Sequence, residues 1–334
     1  MIIATNRVPP GLKDRSAGVD NIIYLSYGKG PHVDELAYAV LSTFDLIEPG
    51  ENQYRVVVYT DNPEPLADLP VHIERLSEGV LKEWGGPFGH IHRRKILAVR
   101  DALTKFGGRL IYCDSDTFFV KHPKRVFARI GPGHSVLHIG EYYLSDACTR
   151  RLLEFVKANE VSDLAGRRWN ITPTTVMFNA GVVGIHESDI SLLDEILHLS
   201  DQIYPPEGAT VEDPRRHADQ FAFSVCFQYR TRLHQSYDAL HHYWPIERRA
   251  RFREELNRLL HDVSIESHAE RMRQLSLVRP SRLIRDRPFK GPAPRGFRAR
   301  VHAALWRTAS RTGVLVPLKR VAARTGLYRS TPSA

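Results

Sequence analysis

Two aspartates, Asp114 and Asp116, form the sequence feature with the clearest chemical meaning. They follow the apolar run at 110–113 and are separated by a single serine. Carboxylates placed just beyond a buried strand can approach one hard cation, because such a cation takes oxygen ligands. A turn in which one aspartate caps the backbone and the other is solvated is the alternative. The location of the pair at the end of an apolar run favours a metal site.

Three further groups could act beside that pair. Asn179 lies in Phe-Asn-Ala-Gly, where small residues let the backbone approach a ligand, although a β-bulge would use the same residues. Asp219 and Gln220 begin an apolar helical run, where helix capping is the alternative role. His241 and His242 precede Tyr-Trp-Pro, and histidines among aromatic residues are often structural.

Basic residues crowd the start of a predicted helix at His90, His92, Arg93, Arg94 and Lys95. Cations at a helix N-terminus oppose the helix dipole. We therefore expect some of them to face an anion such as a diphosphate. An exposed basic turn would explain the same composition.

Alternating strands and helices must position these groups. Apolar runs predict strands at 21–26, 54–60, 110–113, 135–139, 176–178 and 182–185, and amphipathic spacing predicts helices over 32–47 and 91–106. Nearly continuous apolar strands separated by helices indicate an α/β fold whose mostly parallel sheet is covered on both faces. In such a sheet, ligands bind where strands end, which is where the candidate groups lie.

The charge of the chain is concentrated in its C-terminal part. The 334 residues carry a formal net charge of +9, but residues 271–334 hold 16 Lys and Arg and only one acid, Asp286. The remainder is therefore net acidic, which makes nucleic-acid binding by the body an unfavoured interpretation. Three cysteines exclude a disulfide scaffold, and we expect all three to be buried thiols. We see no signal peptide and no run of about 18 apolar residues, so we expect a cytoplasmic protein.

The basic tail combines an irregular arm with an amphipathic helix. Residues 279–296 contain four prolines, and residues 297–311 place apolar residues on one face and arginines elsewhere. Such a helix suits an anionic membrane surface, where each basic residue contributes about 1 kcal/mol. We expect residues 271–334 to hold the protein on the inner face of the membrane. RNA binding and simple packing on the body remain the alternatives.

Taken together, the motifs resemble those of GT-A glycosyltransferases, in particular the family 8 retaining enzymes that use nucleotide-diphosphate sugars. The resembling segments are IIYLSYG at 22–28, YTDN at 59–62, RRKILAV at 93–99, LIYCDSD at 110–116, FNAGVVGI at 178–185, ADQ at 218–220 and HYW at 242–244. They follow the order of that family over residues 21–245. The resemblance implies a GT-A catalytic domain at 20–245 and a helical or irregular basic extension at 246–334.

The resemblance also implies a metal site and a donor site. Asp114 and Asp116 would hold Mn²⁺ or Mg²⁺, with His242 or its neighbour His241 as a third ligand. The residues implied to bind the nucleotide sugar are Tyr24, Ser26, Tyr27, Asp61, Arg93, Lys95, Asp114, Ser115, Ala180 and Gly181. Those implied to face the transferred sugar as catalytic residues are Asp219, Gln220 and Asn179.

The implied activity is hexosyl transfer, with retention, from a nucleotide-diphosphate sugar such as a UDP-sugar. The acceptor would be a saccharide or a lipid-linked molecule of cell-surface polysaccharide biosynthesis. The sequence departs from the family because the Gly and Lys expected after the histidine are absent, and Arg248 or Arg249 would replace the lysine. A metal-dependent nucleotidyltransferase or phosphohydrolase and a non-catalytic nucleotide-sugar-binding module are the alternative functions.

Overall fold

The computed structural model describes residues 18–48, 50–67, 69–204 and 213–244, together with 249, 250, 252–254 and 256. The strands are β1 (Asp20–Ser26), β2 (Tyr54–Thr60), β3 (His72–Arg75), β4 (Arg109–Cys113), β5 (Thr117–Phe119), β6 (His134–Leu137), β7 (Gly140–Tyr143), β8 (Val176–Phe178), β9 (Val182–His186), β10 (Arg232–Gln235) and β11 (Leu240–His242). The helices are α1 (His32–Phe44), α2 (Glu78–Gly85), α3 (Arg93–Phe106), α4 (Lys124–Phe127), α5 (Arg150–Ala158), α6 (Leu192–Ile203) and α7 (Ala218–Arg230).

The central sheet has seven strands in the order β10-β6-β9-β4-β1-β2-β3. All its neighbouring strands are parallel except β9, which runs antiparallel to β4 and β6. In register, Ser26 lies opposite Thr60, and Tyr24 lies opposite Cys113. Because β1, β2 and β4 therefore end at one edge, the loops that follow them share that edge. The mostly parallel α/β sheet expected from the sequence is confirmed.

Two short antiparallel ladders extend this edge. β5 pairs with β11, which puts His242 opposite Thr117 and next to the aspartate loop. β7 pairs with β8, which puts Gly140 opposite Phe178. Glu141 and Asn179, the residues that follow these two, therefore lie close together. The β5–β11 ladder joins residues 121 to 125 apart along the chain, and the β7–β8 ladder joins residues 33 to 38 apart. Together they complete the site.

Apolar layers cover both faces of the sheet. The core on one face includes α3, α6 and α7, with Ile96, Leu199 and Phe223 fully buried. The core on the other face includes α1, with Leu36 and Val40 packed against β1 and β2. Strands buried on both faces are typical of parallel sheets, because helices must cover both sides.

The predicted elements agree with the structure except at their ends. The first helix ends at Phe44 rather than at 47, and the helix predicted from 91 begins at Arg93. The sequence analysis did not predict β3, β5, β7, β10, β11, α2, α4, α5 or α6, most of which are short. Cys113 and Cys226 are buried as expected, but Cys148 is exposed, so that prediction was wrong for Cys148. The basic tail at 271–334 lies outside the described residues.

No helix within the described part of the chain is long and apolar enough to cross a membrane.

Candidate active site

Three potential metal ligands meet at the carboxyl edge of the sheet. Ligand atoms of Asp114, Asp116 and His242 all lie within 4.8 Å of one another. The aspartates come from the loop between β4 and β5, and the β5–β11 ladder brings the histidine to them. Of the two neighbouring histidines, His242 therefore faces the aspartates, whereas the His241 ring packs 5.2 Å from the Phe118 ring.

Hydrogen bonds fix the orientation of the His242 ring. Its Nδ1 lies 2.8 Å from Asn179 Oδ1, which also accepts a 2.9 Å bond from the Gly181 backbone N–H. Asn179 Oδ1 can only accept, so His242 Nδ1 carries the proton and Nε2 faces Asp116 at 3.2 Å. Such a partner behind a histidine ligand sets its tautomer and raises its basicity.

Gly181 provides the space that His242 occupies. A Cβ atom on Gly181 would lie 2.3 Å from His242 Cε1 and 2.5 Å from Nδ1, closer than such atoms approach. The Gly181 carbonyl also accepts the Asp114 backbone N–H at 2.8 Å. Two carboxylates and one imidazole in this cradle are a donor set that could hold a divalent cation.

A buried lysine connects the metal-ligand cluster to α7. Lys95 Nζ lies 3.3 Å from Asp114, 3.4 Å from Asp219 and 3.1 Å from the Ala180 carbonyl oxygen. Burial lowers the pKa of Lys95, but the two carboxylates outweigh it and the net shift is upward. Burial likewise raises the pKa of Asp219, but Lys95 and the nearby His92, His90 and His217 lower it, so the net shift is downward. Both shifts favour the charged forms of the pair.

A second cation reaches the cluster from the C-terminal segment, by which we mean the helical residues among 249–256. Arg249 Nη1 lies 2.8 Å from Asp116 Oδ2, while its Nε and Nη2 pair with Glu35 at 3.1 and 2.8 Å. Arg253 also pairs with Glu35, which is fully buried. This segment follows the domain end expected at residue 245, and it brings Arg249, one of the two arginines expected to replace the missing lysine, into contact with Asp116. Arg248 lies outside the described residues.

The ionisation of Asp116 reflects these neighbours. Burial raises its pKa, but His242 and Arg249 outweigh burial and hold the pKa below the ordinary value. The ion pair with Asp116 also shifts the pKa of His242. Burial lowers that pKa, but Asp116 raises it by more, so the net shift is upward. A metal at Nε2 would therefore have to displace a proton from His242, and it would compete with Arg249, which holds the other carboxylate oxygen, for the charge of Asp116.

Glu141 is a site residue that the sequence analysis missed. It follows the start of β7, where its carboxylate accepts hydrogen bonds from Asn179 Nδ2 and Gln220 Nε2, each at 3.0 Å. Burial raises its pKa more than the two amides and His242 lower it. The available sequence signal was an acid two residues beyond the strand predicted at 135–139, at the same edge as Asp114. The contacts of Glu141 with Asn179 and Gln220 could not be predicted from the spacing of these residues along the chain.

The proposed nucleoside side of the site lies at the ends of β1 and β2. Asp61 accepts the Gly28 backbone N–H through both oxygens, at 2.9 and 3.0 Å. The Tyr27 ring lies under the Arg94 guanidinium at 4.6 Å. Ser26 is buried at the end of β1. The loops after β1 and β2 are thus tied together next to the start of α3.

Two predicted donor residues lie elsewhere. Tyr24 is fully buried in the core, where its hydroxyl lies 2.8 Å from Thr43 Oγ1. Arg93 pairs with Asp201 at 2.9 Å and donates to the Trp84 carbonyl, so it joins α2 and α6. Neither side chain lines the site, because core packing holds Tyr24 and the ion pair with Asp201 holds Arg93. Of the two cations predicted to approach the donor, Lys95 is the one inside the cluster.

The other predicted residues surround the metal-ligand cluster. Ser115 is half-buried between the two aspartates. Asn179 is buried against His242, and Asp219 is buried against Lys95. Gln220 follows Asp219 on α7 and contacts Glu141. The structure therefore brings together the motifs at 110–116, 178–185, 218–220 and 242–244.

No protein-family model and no curated protein matches the chain. Among solved structures, it is similar to the apo form of mouse xyloside xylosyltransferase 1, at 14% identity and a TM-score of 0.41, over 65% of this chain and 85% of that one. It is also similar to the apo structure of the bifunctional glycosyltransferase WbbM, at 11% identity and a TM-score of 0.39. That match covers 63% of this chain and 38% of WbbM, so this chain spans well under half of that protein's length.

The Gly181 cradle can be tested by adding one methyl group. Gly181→Ala should displace His242 and weaken Mn²⁺ binding about 10- to 100-fold, as the loss of a supporting contact does in other metal sites. Gly184→Ala is the matched control: its Cβ would meet Ile130 and Val136 at 2.8 Å inside the sheet, away from the ligands. It should lower the free energy of unfolding by about 1–3 kcal/mol and leave Mn²⁺ affinity unchanged. Titration calorimetry and denaturant unfolding separate the two, and unchanged affinity in Gly181→Ala would contradict the cradle.

Proposed function

We propose that the protein is a metal-dependent glycosyltransferase that moves a sugar from a nucleotide-diphosphate sugar, such as a UDP-sugar, to a saccharide or lipid-linked acceptor. The observation that carries the proposal is the meeting of Asp114, Asp116 and His242 within 4.8 Å, beside the charged pair of Lys95 and Asp219. A metal-ligand cluster next to a buried cation suits a diphosphate, because both would neutralise its oxygens.

The chain's own cations have a clear part in such a reaction. Departure of a nucleoside diphosphate places negative charge on the β-phosphate, and a dication held by Asp114, Asp116 and His242 would stabilise that charge as a Lewis acid. The Arg249 guanidinium contacts Asp116 in the protein alone. On release from Asp116 it can turn to a phosphate oxygen while Glu35 keeps its other edge, which would replace the lysine missing from the sequence motif.

The opposite side of the site offers amides and carboxylates to a sugar. Asn179 and Gln220 both direct amide groups to Glu141, and Asp219 is held by Lys95. We propose that these groups bind the hydroxyls of the transferred sugar and place Gln220 near its anomeric carbon. Retention of configuration is part of the proposal on the strength of the sequence resemblance.

The tail completes the proposal. We propose that residues 271–334 bind an anionic membrane surface and present the site to a lipid-linked acceptor of cell-surface polysaccharide biosynthesis. The excess of basic residues in this tail, set against a net acidic body, supports that location.

Loss of one metal-ligand carboxylate should stop the reaction. Asp116→Asn should lower transfer by about 1000-fold or more, because the metal contributes several kcal/mol to the barrier. Chelation with EDTA should do the same to the unaltered protein, and Mn²⁺ should restore it. Asp101→Asn is the control, since Asp101 pairs with Lys105 outside the site. Incubation with labelled nucleotide sugars and Mn²⁺ measures the effect, and full activity after exhaustive chelation would contradict the metal role.

Arg249 and Arg253 allow a matched comparison, because both pair with Glu35 and only Arg249 contacts Asp116. Arg249→Ala should bind Mn²⁺ alone about 3- to 10-fold more tightly, since a competing cation is gone. It should bind Mn²⁺ with UDP about 10-fold more weakly, since a charge-assisted contact to phosphate is gone. Arg253→Ala should change neither affinity. Equal behaviour of the two variants in titration calorimetry would exclude the exchange of partners by Arg249.

Membrane binding by the tail can be measured by flotation. The full chain should float with vesicles that contain anionic lipid and stay in solution with neutral ones, and added salt should release it. A chain ending at residue 280 should not float with either. Equal flotation of both chains on anionic vesicles would rule out the tail as the membrane anchor.

A further inference from the structure

The side chains of the candidate site form two chains of contacts that the backbone joins into a ring, between Asp219 and Gln220 and between Asp114 and Asp116. One half of it runs from Asp114 through Lys95 to Asp219, at 3.3 and 3.4 Å. Its other half begins at Gln220, the neighbour of Asp219, and continues through Glu141, Asn179, His242 and Asp116, with successive contacts of 3.0, 3.0, 2.8 and 3.2 Å. The metal ligands thus lie on one side of the ring, and Glu141 lies on the other.

The four carboxylates of the ring differ in what neutralises them. Asp114 and Asp219 share Lys95, and Asp116 contacts Arg249. Within the described residues, no lysine or arginine lies within salt-bridge distance of Glu141, whose partners are two neutral amides. A half-buried carboxylate whose direct partners are neutral amides is costly to keep charged, although the His242 ring, which lies beyond Asn179, favours its charged form.

The amides of Asn179 and Gln220 hold that carboxylate in one orientation. Each of its two oxygens accepts one N–H, which leaves lone pairs on both. Asn179 cannot rotate its amide freely, because its Oδ1 already accepts from Gly181 and His242. The charge of Glu141 is therefore fixed in position before any ligand binds, which is the arrangement that stabilises a transition state with little reorganisation.

We propose that Glu141 is a catalytic residue whose carboxylate stabilises the positive charge that develops at the anomeric carbon of the donor sugar. This inference rests on the proposed glycosyl transfer. As the bond from the anomeric carbon to the diphosphate oxygen breaks, its electron pair leaves with the diphosphate, and an oxocarbenium-like centre remains. A metal held by Asp114, Asp116 and His242 would stabilise the negative charge, and Glu141 would stabilise the positive charge. Glu141 has no lysine or arginine partner among the described residues, so the anomeric centre would be its direct cationic partner.

The test compares Glu141→Gln and Glu141→Asp with the unaltered full chain. Glu141→Gln keeps the size of the side chain and an acceptor for Asn179 but removes the charge. We expect kcat for donor turnover to fall about 100- to 1000-fold, with Mn²⁺ and UDP affinities within about twofold of the unaltered protein. Glu141→Asp keeps the charge and should recover at least about tenfold of the loss in kcat. Glu195→Gln, at a glutamate that pairs with Arg230 outside the ring, is the control and should keep full activity.

Three results would overturn the assignment. Unchanged kcat in Glu141→Gln would remove the charge from the mechanism. An equal loss of Mn²⁺ and UDP binding in both variants would show that Glu141 only holds the ring together. An unaltered protein that binds Mn²⁺ and UDP yet turns over no nucleotide sugar, across a panel of donors, would overturn the proposed function itself and this inference with it. Activity in the unaltered protein therefore separates failure of the function from failure of Glu141.

Discussion

The repulsion among carboxylates gathered at one edge of the sheet is the constraint on which the site depends. Asp114 and Asp116 have ligand atoms within 4.8 Å of each other, and Asp114 and Asp219 both contact Lys95. Like charges this close cannot all ionise without compensation. Lys95 compensates two of them from the first turn of α3, although a lysine there opposes the helix dipole. The ion pairs of Lys95 with Asp114 and Asp219 offset its unfavourable interaction with the helix dipole.

The same constraint explains why the C-terminal segment packs where it does. Arg249 contacts Asp116 and is held by Glu35, which Arg253 also pairs with. An apolar cluster that includes Tyr38, Phe118 and Phe252 fixes the segment against α1 and β5. A buried Glu35 without these arginines would be an uncompensated charge, so its side chain ties the segment to the body. The wall of the site is thus built from chain on both sides of the boundary expected at residue 245.

Much of the scaffold and part of the site could be predicted from sequence. Apolar runs located β1, β2 and β4 because buried parallel strands are nearly continuous in hydrophobicity. Similar runs located β8 and β9, which are antiparallel to their neighbours but also buried. Asp114 and Asn179 could be placed at strand ends, whereas His242 and its neighbour His241 were candidates only through the family resemblance. The structure brings Asp114, Asn179 and His242 together.

The rest of the site could not be predicted, because it depends on the direction of side chains and on partners that are distant in the sequence. Tyr24 is two residues from the end of β1, and the covering helix α1 buries it, so proximity to the strand end was misleading. Arg93 and Lys95 are two residues apart on one helix, and helical geometry points them to different neighbours. Glu141 and Glu35 have partners dozens to hundreds of residues away, which no local pattern specifies.

Anomalous diffraction from crystals of the full chain grown with Mn²⁺ and UDP tests the proposed metal site most directly. We expect one manganese peak in contact with Asp114, Asp116 and His242, with diphosphate oxygens completing its coordination and the Arg249 guanidinium moved off Asp116. Crystals with bound UDP but no manganese at this position, and with Arg249 still on Asp116, would contradict the proposed metal site.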